Sequence, residues 1–278
     1  MGTFWQVSSA DKQAAEIVFS EASRIEQLLS KYIQTSEVFQ LNRLGKLKVS
    51  PETFYIIKQS LEFYSQTFGA FDITVAPLID LWGFTNQKYH IPSDKEIESV
   101  LNLVGNDKII LHEKDNVVEF KIPGMKIDLG AIAKGYALDC AVKKLKEHKI
   151  DNCLINAGGQ IYALGDNFGQ SWRIAIRGIK YKVEGTLRLK NKSASTSGNY
   201  EQFFFKGQKR YCHILNPKTG YPVDSSIASA TVVCDTGLEA DALSTAILVL
   251  GKDRKNALIR KFPKAKFYIQ EENPHEKQ

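Results

Sequence analysis

Strand-like and helix-like stretches follow one another along all 278 residues, with no Pro-, Ser- or Gly-rich linker to part them and no repeat of fixed period. That order confines the chain to one α+β body, or to two intimately packed lobes, around a common core. Val18, Ala22, Ile25 and Leu29 recur at three- and four-residue steps and predict an amphipathic helix, with Ser8 or Ser9 as its cap. Ser50-Pro51 opens a second helix, and Ser93 with Glu96 forms a capping box before a third. Residues 108–112 and 117–122 read as a hairpin. The pattern then shifts. Residues 125–129 read as a strand that passes through Gly130 into a helix ending near 148, and 153–156 as a strand before the turn Ala157-Gly158-Gly159. Strands are expected at 4–7, 172–177, 185–189, 200–205, 211–215 and 228–234. A helix over about 237–250, a short one from Asp253 and a strand at 266–269 close a domain of residues 1–270, followed by a polar tail at 271–278.

Composition narrows the function classes. With 43% hydrophobic and 24% charged residues, the chain has enough apolar surface to offset the entropy of folding, which excludes disorder. Its longest apolar run, 242–250, contains Ser244 and Thr245 and falls far short of the ~18 residues that span a bilayer. The net charge of +6 is spread out, and its tightest groups (Lys143, Lys144 and Lys146; Lys206, Lys209 and Arg210) are short. A nucleic-acid binder gathers such charge into a stripe, so a solvated surface or a groove for a phosphorylated small molecule fits better. Cys140, Cys153, Cys212 and Cys234 lack CxxC spacing and read as small core residues rather than zinc ligands or a disulfide scaffold. No basic segment followed by an apolar stretch marks a signal peptide at the N-terminus.

A few segments carry candidate chemistry. Asp241 and Thr245 are four apart on a predicted helix, so a carboxylate and a hydroxyl share one face, and both are hard oxygen donors suited to Mg²⁺. The ordinary alternative is a dipole-compensating Asp and a back-bonded Thr. The strand–Gly130–helix passage through Asp128 and Lys134 exposes free N–H groups to an anion, or is a plain junction. Asn156-Ala157-Gly158-Gly159 admits close backbone approach, and Thr196-Ser197-Gly198 offers hydroxyls at a strand entry. His213 ends a strand before a Pro/Gly turn and is the best acid–base candidate; His90, His112, His148 and His275 sit in polar or terminal contexts. The aromatic stretch from Phe68 to Phe84 either stacks a planar ring or belongs to the core.

Taken in order, these segments resemble the ApbE family of FAD:protein FMN transferases. The resemblance rests on Met1-Gly2-Thr3, Ser30-Lys31-Tyr32 with Ser36-Glu37, Gly69-Ala70-Phe71-Asp72, and Pro77-Leu78 with Leu81-Trp82-Gly83-Phe84. It continues through Ile127-Asp128-Leu129-Gly130 with Ala133-Lys134-Gly135-Tyr136, then Asn156-Ala157-Gly158-Gly159 and Thr196-Ser197-Gly198. His213-Ile214-Leu215-Asn216-Pro217-Lys218-Thr219-Gly220 and Asp241-Ala242-Leu243-Ser244-Thr245 complete it.

The resemblance implies a single α+β domain of mixed or antiparallel sheets with packed helices. It also implies a reaction in which FAD is split at its pyrophosphate, FMN is esterified to a threonine of an acceptor protein, and AMP leaves. Asp241, Thr245 and the Ala131 carbonyl would hold Mg²⁺, with Ser244 beside them. Met1, Tyr32, Ala70, Phe71, Asp72, Asp128, Lys134 and the His213–Ile214 segment would surround FAD, and His213 would take the proton of the attacking hydroxyl. The implied acceptor is a flavin-carrying subunit of a membrane redox complex. Since such proteins are often exported, the chain is expected to work at the cell envelope, periplasmic or on the outer face of the inner membrane; a cytoplasmic member would carry the same sequence. A metal-dependent FAD pyrophosphatase and a non-catalytic flavin-binding module are the competing readings.

Overall fold

The computed structural model describes residues 2–177, 183–224 and 226–271; Met1, His275 and the tail at 272–278 lie outside the described residues. The first half holds β1 (Trp5–Ser8), α1 (Ala14–Leu29), α2 (Glu37–Leu44), β2 (Lys46–Lys48), α3 (Pro51–Gln66), α4 (Ala76–Leu81) and α5 (Asp94–Leu101). A hairpin of β3 (Ile109–His112) and β4 (Val117–Phe120) leads to α6 (Ala133–Glu147). Then come β5 (Cys153–Ala157), β6 (Gln160–Leu164), β7 (Trp172–Arg177), β8 (Val183–Leu189) and β9 (Lys192–Gly198). The chain closes with β10 (Phe203–Lys206), β11 (Lys209–Cys212), β12 (Ile227–Cys234), α7 (Gly237–Lys261) and β13 (Lys266–Glu271).

An antiparallel six-stranded sheet, ordered β1-β5-β6-β9-β12-β13, is the frame. All eight residues of β12 are buried, because both faces of the sheet are covered. Ala230, Val232 and Cys234 pack into the cluster that holds Leu243, Ile247 and Leu248 of α7. Val233, one residue out of phase, joins Trp172, Ile174 and Leu187 of the β7–β8 ribbon. That alternation is the two-residue period of a strand expressed in packing. The predicted caps at Ser50 and Ser93 form, the latter with the reciprocal Glu96 bond of a capping box. The four cysteines are free; Cys153, Cys212 and Cys234 are buried as expected while Cys140 is half-buried at the core's edge, and burial raises each thiol.

Some expectations change. Ser8 lies in β1 and Ser9 hydrogen-bonds the Asn152 carbonyl, while α1 starts without a side-chain cap at Gln13. Residues 125–129 are extended but outside any sheet, since the Asn42 side chain satisfies both the N–H and the C=O of Ile127, at 2.8 and 2.9 Å. The following helix begins at Ala133 rather than at Gly130. The strands expected over 200–205 and 211–215 form as β10 and β11, offset by a few residues. The helices expected before and after Asp253 form one element broken at Gly251, whose φ of 65° is non-helical. Helices α2 and α4 and strands β2, β6 and β9 were not foreseen.

Candidate active site

Helices α6 and α7 cross at two glycines. A Cβ on Gly135 would stand 2.1 Å from the Gly237 carbonyl oxygen, and one on Gly237 would stand 2.4 Å from the Gly135 oxygen. Only residues without side chains permit this approach. Asp139 of α6 fixes the crossing by accepting the Gly237 and Leu238 N–H groups at 2.6 and 2.9 Å, which caps α7. Burial raises its carboxyl to about 6, against the pull of those two bonds.

The crossing delivers Asp241 to the start of α6. Its Oδ2 accepts the Gly135 N–H at 3.0 Å. The helical partner of that N–H would be the Ala131 carbonyl, which receives no donor among the described residues. Asp241 Oδ1 lies 3.5 Å from the Ser195 hydroxyl and 3.8 Å from Lys134 Nζ, which also donates to the Gly130 carbonyl at 3.1 Å. One turn on, the Thr245 hydroxyl is 3.3 Å from that of Ser197. Carboxylate, hydroxyl and free carbonyl are all hard oxygen donors, the set a Mg²⁺ site needs alongside water and phosphate oxygens. Among the described residues there is no group of three His, Cys, Asp or Glu able to hold a metal. Ser244 is fully buried, and its hydroxyl bonds Ser195, Ser197 and the Asp241 carbonyl. It therefore positions Asp241 and the β9 hydroxyls from behind rather than facing open space.

These groups line a cleft of about 750 Å³. Ala70, Phe71, Asp72, Asp128, Ala131, Lys134, His213, Ile214, Asp241 and Thr245 all lie on its wall. The turn Gly158-Gly159 joins β5 to β6 with both residues at positive φ, and a Cβ on Gly158 would meet Thr3 Oγ1 at 2.0 Å. Thus the segments around Thr3 and Gly158, remote in sequence, form one wall. Burial raises the Asp72 carboxyl to about 6, although Thr74 donates to it from both its N–H and its hydroxyl. Asp128 pairs with Lys31 at 2.8 Å and accepts the Gly130 N–H at 2.8 Å. Burial opposes the charge of Lys31, but the Asp128 carboxylate against it outweighs that and holds the ammonium above its usual value.

His213 is half-buried, with its Nδ1 3.1 Å from the Gln202 carbonyl. A carbonyl only accepts, so Nδ1 carries the proton and Nε2 keeps its lone pair. Burial, reinforced by the charge of Lys134, lowers the imidazole below its ordinary value, against the Gln202 bond. His90, His112 and His148 are exposed. Tyr32 stands apart from the cleft wall, 63% exposed, with Lys31 Nζ 5.1 Å from its ring centre. Met1 lies outside the described residues. Of the aromatic stretch, Phe71, Trp82 and Phe84 are core, and Trp82 anchors the loop after His213 through its bond to the Gly220 carbonyl at 2.8 Å. Sequence reasoning passed over Lys31, Asp139 and Ser195. Lys31 sits inside the Ser30-Lys31-Tyr32 motif, but nothing local shows that it meets Asp128, that Ser195 meets Asp241, or that Asp139 accepts the N–H groups of Gly237 and Leu238.

The description "ApbE family" belongs to the family model that matches residues 1–269. The chain is 34% identical to the FAD:protein FMN transferase of Buchnera aphidicola subsp. Schizaphis graminum, over 98% of this chain and 82% of that protein. It is 32% identical to the Escherichia coli K12 protein of the same name, with the same coverage. The crystal structure of the ApbE protein from Thermotoga maritima shares the fold with a TM-score of 0.89 at 34% identity, covering 99% of this chain and 95% of that one. The flavin transferase ApbE from Vibrio cholerae follows at 0.86 and 26% identity, covering 99% and 92%. Sequence and fold agree over nearly the whole length, and this chain belongs to the ApbE family.

Proposed function

We propose that this chain is a Mg²⁺-dependent FAD:protein FMN transferase, which splits FAD and attaches FMN through a phosphoester to a threonine of an acceptor protein, releasing AMP. The observation that carries the reading is the meeting of Asp241, Thr245, the donor-free Ala131 carbonyl and Lys134 on one cleft wall. Its family membership and its relatives' names supply the substrate.

Asp241, Thr245 and the Ala131 carbonyl would hold the metal. The ion they hold would supply positive charge against the pyrophosphate and the departing phosphate. Lys134 adds a positive charge beside the same carboxylate. Asp72 and Asp128 offer acceptors to the N–H and O–H groups of flavin or ribose, and Lys31 holds Asp128 in place. His213 Nε2 takes the proton of the attacking hydroxyl. The oxygen–phosphorus bond to threonine forms as the pyrophosphate bridge breaks, and the electron pair of the bridge leaves with AMP. Gln202 keeps the base in the correct tautomer. The acceptor is a flavin-carrying subunit of a membrane redox complex, which puts the work of this chain at the periplasmic side of the cell envelope. No helix among the described residues is long and apolar enough to cross a membrane.

Incubation with FAD, Mg²⁺ and a threonine-bearing acceptor domain tests this. Expected are AMP and an acceptor heavier by one FMN on threonine. Free FMN with unmodified acceptor would make the chain a pyrophosphatase, and intact FAD would make it a flavin-binding module.

A further inference from the structure

The β10–β11 hairpin forms a two-stranded sheet of its own beside the cleft. Its two faces differ. Phe204 and Tyr211 stack at 5.2 Å on one face, and both rings pack onto the core: Phe204 on Tyr89 and Phe84, Tyr211 on Trp82. The other face carries Phe203 and Phe205, 39% and 62% exposed, edge to face at 5.5 Å. Arg210, paired with Phe205, lies over the Phe203 ring at 5.9 Å, while Lys206 and Lys209 pair beside the turn on the Phe204/Tyr211 side, with Lys209 Nζ 5.3 Å from the Tyr211 ring centre. Residues 202–212 contain these three cations and no Asp or Glu. Two exposed phenylalanines with an arginine over one of them, and two lysines at the tip of the same hairpin, have the make-up of a protein-binding patch rather than of ordinary surface.

The base of the hairpin is part of the active site. Gln202 immediately precedes β10 and His213 immediately follows β11; the Gln202 carbonyl accepts both the backbone N–H and the Nδ1–H of His213, at 3.0 and 3.1 Å. Both residues line the cleft. A macromolecule seated on the Phe203/Phe205 face therefore rests on the hairpin whose base carries His213.

We propose that this face docks the acceptor protein, and that the surface it fits is an apolar side chain ringed by Asp or Glu. The inference rests on the transferase reading, which requires a protein substrate to bring one hydroxyl into the cleft. The charge of the hairpin sets the complementary charge of the partner, and its aromatic pair supplies the anchor. The acceptor is thereby selected by a surface distinct from the groups that hold FAD.

The test uses the full chain, FAD, Mg²⁺ and the flavin-carrying domain of a membrane redox-complex subunit as acceptor. Phe203→Ser with Phe205→Ser, and separately Lys206→Glu with Lys209→Glu, are compared with the parent in FMN-adduct formation and in FAD affinity. Since all four positions lie on the exposed hairpin, parental melting curves are expected. We expect the KM for acceptor to rise at least about tenfold with kcat and FAD affinity near parental, and added salt to raise the parent's KM more than that of the charge-reversed variant. An unchanged acceptor KM in both variants overturns the docking surface and leaves the transferase reading intact. Loss of FAD affinity in parallel with transfer also overturns it, assigning the face to the flavin site. No adduct from the parent chain overturns the transferase reading itself, and the docking surface with it.

Discussion

Replacing Gly135 with Ala tests the link between helix packing and chemistry. The new methyl would lie 2.1 Å from the Gly237 carbonyl oxygen, where about 3 Å is the least real contacts tolerate, so α6 and α7 must part by about 1 Å. Overpacking of this kind costs about 1–3 kcal/mol. The same shift weakens the 3.0 Å bond from the Gly135 N–H to the Asp241 carboxylate, and a bond to a charged group contributes about 1.5–3 kcal/mol. Taken together the loss is roughly 3–5 kcal/mol, which in a chain of this length lowers Tm by about 10 °C. Activity should fall further than stability, because a displacement of about 1 Å in a catalytic constellation costs ~100-fold. Calorimetric melting and the initial rate of FMN-adduct formation measure the two effects on one preparation. Gly237→Ala, whose methyl meets the Gly135 oxygen at 2.4 Å, should behave alike, and the double variant should lose less than the sum because one contact is shared. Gly185→Ala is the control, its nearest neighbour being Ile176 Cδ1 at 3.8 Å. If Gly135→Ala melts and transfers like the parent, the helix crossing does not set the site and the reasoning fails.

Asp241→Asn keeps an oxygen that can accept the Gly135 N–H but removes the charge, so the fold should survive while transfer drops at least ~100-fold; chelation of Mg²⁺ should silence the parent likewise. Near-parental rates in the variant would remove Asp241 from the metal site. Because His213 is held below its ordinary value of 6.5, transfer should be complete above that pH and decline as pH falls through the lowered value; His213→Ala should abolish that limb along with most activity. An identical acid limb in the variant would assign it to another group. For Asp139 the sign runs the other way from a salt-bridged carboxylate. Raised from 3.8 to about 6, it binds its proton more tightly folded than unfolded, so it removes stability as pH rises across that interval and nothing further above it. Asp139→Asn should therefore gain on the parent between those two values in urea unfolding, then run parallel; a difference flat with pH would refute the buried-charge account.

How much was legible depended on how local each signal was. The capping box at Ser93, the Ser50-Pro51 helix start and the β-branched run of β12 are short-range rules, and they appear where the residues place them. Strand β9 escaped because Lys192–Gly198 is built from Ser, Thr, Ala and Gly, with no apolar alternation to reveal it. Its hydroxyls are satisfied by partners from other segments: Ser193 donates to the Ile161 carbonyl, Ser195 and Ser197 bond Ser244, and Thr196 bonds Thr231. The extended segment at 125–129 was mistaken for a sheet strand because Asn42, 85 positions away from Ile127, imitates a ladder neighbour.

By itself the sequence determined the α+β class, the starts of α3 and α5, the buried Cys153, Cys212 and Cys234 and, through an ordered series of short motifs, the family. Spacing could place Asp241 and Thr245 on one helix face, because a turn of helix is a local geometry. It could not say that Asp241 would take the Gly135 N–H from the Ala131 carbonyl, or that Lys31 would neutralise Asp128. Nor could it show that Tyr32 would face solvent while Ser244 was sealed behind the site. Those outcomes belong to the tertiary structure, because each depends on how segments tens of residues or more apart come to lie: Lys31 against Asp128, Asp241 against Gly135 where two glycines let α6 and α7 touch, and Ser244 against the β9 hydroxyls of the six-stranded sheet.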